Sequence, residues 1–201
     1  MIITVGSVKG GVGKTTTAIH LAAYFQRLKP TLLVDSDRIR ASILWGKRGQ
    51  LPFRVVDENQ QAKAMREASY AHVIIDTEGS IDDQGLRELA TGCDLLVVPA
   101  VPETSATDGL IYTLQRLEGT KNFRVLLNRV RHNRPKEAAE LRAALVAMEV
   151  PIFTAEIPDL AAFDKASAQG VPVHAIDDDR ARRAWEAFEA VGKEINHAGC
   201  A

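Results

Sequence analysis

Hydrophobic residues fall in short runs along this chain, separated by more polar stretches of helical length. The runs are MIITVGS (1–7), TLLVDSD (31–37), PFRVVD (52–57), HVIIDT (72–77), DLLVVPA (94–100), RVLLNRV (124–130) and PIFTAEI (151–157). Most are apolar nearly throughout and do not alternate. Strands covered on both faces read this way, as in a parallel sheet. Between the runs, the spacing predicts helices over 14–28, 58–69, 82–91, 105–118, 135–148, 159–169 and 179–196. This alternation predicts an α/β fold, a doubly wound and mostly parallel sheet flanked by helices. Ligands of such sheets sit beyond the carboxyl ends of the strands. Four of those ends carry conspicuous polar residues.

Composition narrows the picture only a little. A chain of 201 residues suits one domain, 1–201, with a frayed tail after about residue 196. Apolar residues make up 46% and charged residues 25%, as in ordinary globular proteins. The formal net charge of -1 excludes a globally polyanion-binding charge. Any nucleic-acid surface must be a local patch, or one built by pairing two chains. Cys93 and Cys200 match no metal-ligand spacing, so Cys93 is expected to be buried and the compartment to be the reducing cytoplasm. The N-terminus lacks the basic segment of a secretory signal. No apolar run approaches the roughly 18 residues of a membrane span.

The first strand end carries GSVKGGVGKTT. Glycines let the backbone curl so that its N–H groups face a phosphate, and a helix start adds its positive dipole end. Gly10, Gly11, Val12, Gly13, Lys14, Thr15 and Thr16 are the expected phosphate-binding residues. Lys14 is placed to reach the β- and γ-phosphates, and the Thr15 hydroxyl to reach Mg²⁺. Val8 stands where the usual phosphate-loop pattern has glycine, and Lys9 is a second, unexplained lysine.

KGGVGKTT resembles the deviant phosphate loop of the ParA/MinD family of ATPases. The likeness extends from Met1 to about Ile195. It implies ATP and Mg²⁺ as cofactors and an ATP-sandwich homodimer, in which Lys9 reaches the partner chain's nucleotide as a trans-acting cation, much like an arginine finger. At the second strand end, Asp35 and Asp37 match the family's D-x-D. The resemblance makes Asp37 the water-positioning residue and puts Asp35 in or near the magnesium shell. Arg38-Ile39 replaces the common Pro-Gln, while Ser42 and Trp45 keep the S-x-x-x-W seen in short plasmid partition ATPases. HVIIDT ends in Asp76, the expected Mg²⁺ carboxylate. Relatives continue Asp-Thr-Pro, and here Glu78 replaces that proline, which puts the segment Thr77 to Ile81 in question. Asn128 takes the position of the family's adenine-reading asparagine, with Pro158 and Asp159 near the base.

The resemblance implies a slow ATP hydrolase that is stimulated by a partner. It would bind nucleoid DNA non-specifically and position a cargo through an adaptor of ParB type, in the cytoplasm and without a membrane. Plasmid partition is the leading cargo reading, as the commonest use of such short proteins in the family. A carboxysome or other microcompartment is the alternative. Candidate DNA contacts are Arg129, Arg131, Arg134 and Lys136, then Arg180, Arg182 and Arg183. A membrane-cycling ATPase of MinD type is the second reading. Against it, Ala181, Trp185, Phe188, Gly192 and Ile195 recur at helical spacing, which predicts packing on the core. An iron–sulfur electron donor would need two suitable cysteines per chain. A synthetase on the same fold would need a substrate pocket that the sequence does not reveal.

Overall fold

The computed structural model describes residues 1–79 and 83–198. Six strands form one sheet: β1 (Ile2–Val5), β2 (Thr31–Ser36), β3 (Arg54–Asp57), β4 (His72–Thr77), β5 (Leu95–Ala100) and β6 (Phe123–Leu127). Their spatial order is β3-β2-β4-β1-β5-β6, and every pairing is parallel. The helices are α1 (Lys14–Gln26), α2 (Ala41–Arg48), α3 (Glu58–Glu67), α4 (Asp83–Thr91), α5 (Thr104–Arg116), α6 (Pro135–Ala147), α7 (Ala162–Gln169) and α8 (Asp179–Ala198). This is the doubly wound α/β fold that the alternating runs predict.

Continuous apolar strands make sense here because alternate residues feed the packing on the two faces of the sheet. Ile3, Val5, Leu33, Ile74, Val97 and Leu126 face the large cluster built with α1, α7 and α8. Leu96, Val98, Val125 and Leu127 face α4, α5 and α6. Leu32, Val34 and Val73 face α3. α1 is buried almost all round, from Thr17 to Phe25, as a helix under a second helical layer must be. That layer is α8, whose Ala181, Trp185, Phe188 and Ile195 are buried in the same cluster.

Three features differ from the expected elements. α2 is an additional short helix, seated by only two buried residues, Ser42 and Trp45. The run 151–157 is not a seventh strand, although it bridges β6 at Ile152. Pro151, Phe153 and Ile157 exchange backbone hydrogen bonds with Val125 and Leu127. Between them, the Thr154 and Ala155 N–H groups turn away and donate to the Glu194 carboxylate of α8, at 2.9 and 2.7 Å. A carboxylate from another layer thus takes the donors that a ladder would have used. α7 also begins later than expected, after the turn through Pro158 to Ala161. The segment 80–82 and Cys200 lie outside the described residues. Cys93 is buried, as its apolar character predicts.

Candidate functional site

The site grows from the carboxyl end of β1. The chain turns through Gly11 and Gly13, both at positive φ, and enters α1 with no side-chain cap. Gly13 has φ 87°, and a Cβ there would lie 2.3 Å from Asn128 Nδ2. Glycine is therefore required on both counts. Asn128, at the end of β6, buttresses the turn from behind. Its Nδ2 donates to the Val12 carbonyl at 2.8 Å, and its Oδ1 accepts the Arg129 N–H at 2.9 Å. One Nδ2 hydrogen remains for a ligand, because a side-chain amide carries two.

The loop borders a cavity of about 470 Å³, lined by Gly10, Gly11 and Gly13 to Thr16 on one side and by Asp37, Gly79, Asn128 and Asp159 on others, while the Val12 side chain is buried against Val101. The first-loop glycines, Lys14, Thr15, Thr16, Asp37, Asn128 and Asp159 thus meet around one space. Pro158 does not line this space; with Asp159 it borders a neighbouring cavity of about 560 Å³ between α6 and α8. Lys14 is nearly buried, and its Nζ donates to the Lys9 carbonyl at 2.8 Å. Burial pulls the Lys14 ammonium below its ordinary value, and the Asp76 and Asp37 carboxylates beside it pull the other way. The Lys9 side chain lies along α5, where a Cβ on Gly109 would come within 3.1 Å of its Cδ.

The two buried aspartates sit opposite each other in the β2–β4 register. Asp35 Oδ1 accepts from the Asp37 N–H at 3.1 Å, and Oδ2 from the Ile43 N–H at 2.9 Å. Burial raises its carboxyl above the ordinary value, and those amides hold it down. Asp37 reaches the cavity, and its Oδ1 accepts the Ile39 N–H at 2.9 Å. Asp76 Oδ2 accepts the Ser42 hydroxyl at 2.8 Å, a seat for α2 that the motif alone did not explain. Asp76 Oδ1 is buried and has no hydrogen-bond partner. Burial pushes this carboxyl up to about 7, against the Ser42 and Thr15 hydroxyls, with Asp35 and Asp37 adding to the rise.

An orphaned buried carboxylate oxygen is costly, and it fits a cation arriving with a ligand. One carboxylate and the Thr15 hydroxyl suit Mg²⁺, which keeps several waters and shares its shell with phosphates. The residues present therefore fit that ion.

The arginines expected to contact DNA fall partly together: Arg129 and Arg131 both approach Asp159, and Arg131 and Arg183 line the same cavity. Arg129, in the left-handed region at φ 55°, lines the loop cavity and donates to the Gly11 carbonyl at 3.4 Å. Its side chain stays half exposed, with Nε 3.8 Å from Asp159. Arg131 pairs with Glu103 at 2.6 Å and lies 3.8 Å from Asp159. Arg134 pairs with Glu137, and Arg182 with Asp179. Arg183 lines the larger cavity. Arg129 near Gly11, Ser42 under Asp76 and Gly109 beside Lys9 are contacts that only the fold reveals.

A glycine turn that offers open amides, a lysine and a hydroxyl to one cavity, at the carboxyl edge of a parallel sheet, defines a P-loop nucleotide-binding domain. Comparison with known proteins gives its family. Residues 3–173 match the model of the CobQ/CobB/MinD/ParA nucleotide binding domain, and the chain belongs to that family. It is 32% identical over 202 residues to the maintenance of carboxysome distribution protein A of Gloeobacter kilaueensis, covering 97% of this chain and 94% of that one. Among solved structures, it resembles the MinC:MinD cell division complex of Aquifex aeolicus with a TM-score of 0.77 at 18% identity, covering 98% and 95% of the two chains. It also resembles MinD complexed with Mg-ADP from Pyrococcus horikoshii, at TM-score 0.69 and 20% identity, covering 98% and 96%.

Proposed function

We propose that this chain is a ParA-type positioning ATPase. Two copies sandwich ATP, and the dimer holds to double-stranded DNA until an adaptor on the cargo triggers hydrolysis. The observation that carries the reading is the convergence of Lys14, Thr15, Asp37 and the unpartnered Asp76 oxygen on the phosphate loop. In this reading Asp76 and Thr15 hold Mg²⁺, which would neutralise phosphate charge. Asp35 fixes the turn that presents Asp37. Asp37 orients the attacking water, and Lys9 leaves its place along α5 to reach the partner's nucleotide. Asn128 and Asp159 border the adenine end, together with Pro158.

The relative from Gloeobacter favours a carboxysome-like compartment over a plasmid as the cargo, because the likeness spans nearly both chains. A membrane-cycling role is less favoured. The apolar face of α8 is already buried against α1, so a lipid surface would have to compete with the core for it. No described helix is long and apolar enough to cross a membrane.

The deciding experiment measures double-stranded DNA binding with ATP, ADP or no nucleotide, at several salt concentrations, for wild type and Asp37→Ala. The reading expects binding with ATP alone, lasting longest in Asp37→Ala, whose hydrolysis is blocked. Absence of DNA binding in every state, with ATP-driven dimerisation intact, would leave a nucleotide switch that acts on a protein or a membrane.

A further inference from the structure

Two loops form the mouth of the phosphate cavity. One follows β2 and contributes Asp37, and the other follows β4 and contributes Gly79. The strands beneath them are hydrogen-bonded neighbours as far as the pair Ser36 and Thr77. Beyond that pair the ladder ends. There Arg38, next to Asp37, meets Glu78, next to Gly79, with Nε and Oε2 3.0 Å apart. The Arg38 side chain is otherwise exposed at 88%, so little packing holds it in place apart from this pair.

The rest of the Asp37 loop is tied outward. Arg40 donates to the Asp35 carbonyl at 2.6 Å and pairs with Glu58 at the start of α3. The Ile39 N–H closes on Asp37 itself. Arg38 is thus the side chain of this turn that reaches across the surface to the loop after β4. Both partners also occupy positions where the family pattern noted above has proline. A proline stiffens its own loop and does nothing to its neighbour. A pair of opposite charges holds the two loops to each other.

We propose that Arg38 and Glu78 are a positioning pair. Their bridge couples the Asp37 loop to the Asp76–Gly79 loop and sets where the Asp37 carboxylate stands during hydrolysis. This rests on the reading of Asp37 as the water-orienting residue. Neither Arg38 nor Glu78 touches the reacting atoms. Because the pair is exposed, its effect is modest and weakens with salt.

The test compares Arg38→Ala, Glu78→Ala, the double variant, the charge swap Arg38→Glu with Glu78→Arg, and Arg38→Lys. Two quantities are read: steady-state ATP hydrolysis, and hydrogen exchange over residues 37–40 in nucleotide-free protein. Each alanine variant should lower kcat about 2- to 5-fold, leave KM for ATP within about twofold, and speed exchange. The double variant should be no worse than either single one. The swap should restore both readouts, and Arg38→Lys should keep most of the rate. Losses that multiply in the double variant, a swap without rescue, or faster exchange at an unchanged kcat would each overturn the proposal. Wild-type hydrolysis in Asp37→Ala would overturn the reading of Asp37 and the positioning role with it. The exchange data would still report separately whether the bridge holds the loops together.

Discussion

Asp35 and Asp76 stand side by side at the ends of β2 and β4, equally buried, and differ in one respect. Both oxygens of Asp35 accept backbone N–H groups. Asp76 accepts a hydroxyl, that of Ser42, on Oδ2, and its Oδ1 has no partner. The same residue type, at the same depth and in the same sheet register, is therefore left in two different hydrogen-bonding states. A satisfied carboxylate shapes the chain around it, whereas an unsatisfied one waits for something from outside. Burial alone does not separate these roles, and hydrogen-bond satisfaction does.

The contrast is tested most severely by neutralising each carboxylate in turn. Asp76→Asn should cut Mg-dependent ATP hydrolysis by about 10²- to 10³-fold, the scale of losing a charge-stabilising group at a reacting centre. It should not destabilise the nucleotide-free protein, since it removes a buried charge. Steady-state kinetics with urea unfolding checks both parts. A stability loss as large as the activity loss would make Asp76 a scaffold too.

Acid titration sharpens the comparison with a third buried group. His20 is satisfied like Asp35. Its Nδ1 lies 2.6 Å from the Thr16 carbonyl, and its Nε2 accepts the Val173 N–H at 3.0 Å. Those partners require the neutral ring with its hydrogen on Nδ1. It also stacks on Phe188, with ring centroids 4.8 Å apart. Burial first, with His174 adding, pulls its value from 6.5 to about 4, against the Thr16 carbonyl. The unfolded chain thus takes the proton near pH 6.5, while the fold resists it until about pH 4. Stability from neutral His20 is complete above pH 6.5, falls as pH drops, and is lost below about 4. The total is about 3 kcal/mol. Asp76 slopes the opposite way without magnesium. Its raised value favours the fold at low pH, and that contribution is lost as pH rises through about 7. Urea midpoints from pH 4 to 7 in chelator should therefore show a steeper rise with pH in Asp76→Asn than in wild type. His20→Gln should show a shallower one. Parallel profiles for all three proteins would refute the assignment.

A smaller effect is expected at Asp35. Asparagine can accept one of the two N–H groups and must point a donor at the other. Asp35→Asn should cost about 1 to 2 kcal/mol of stability and lower hydrolysis less than about tenfold, through a loosened Asp37 turn. Loss of hydrolysis equal to that of Asp76→Asn, at unchanged stability, would put Asp35 at the metal.

The strands were legible because both faces of the sheet are covered, which leaves unbroken apolar runs such as TLLV and LLVV. The phosphate loop was legible because its chemistry is local. What escaped the sequence depends on partners far along the chain. α2 has only Ser42 and Trp45 to bury, too few for a helical stripe, and Ser42 is understood once Asp76 lies beside it. The run 151–157 looks like a strand until Glu194, about 40 residues later, claims two of its amides. Arg129 belongs to a basic cluster in sequence and to the cavity wall in space, because its left-handed backbone turns it towards Gly11. His20 showed no motif at all, since both its hydrogen-bond partners are backbone groups.

The strand order also bears on how the protein is made. β1 precedes the other five strands in the chain yet ends in the middle of the sheet, between β4 and β5. The phosphate loop is synthesised by residue 16, but the neighbours that flank its strand arrive only with residues 72–77 and 95–100. Asn128, which braces the loop from behind, comes later still. A nascent chain thus carries its nucleotide motif for most of its synthesis without a platform to hold it open. Such distant pairings are slow to form and expose apolar strands meanwhile. ATP can therefore meet a formed loop only after the chain through Asn128 has been made, so nucleotide capture follows the pairing of the central strands.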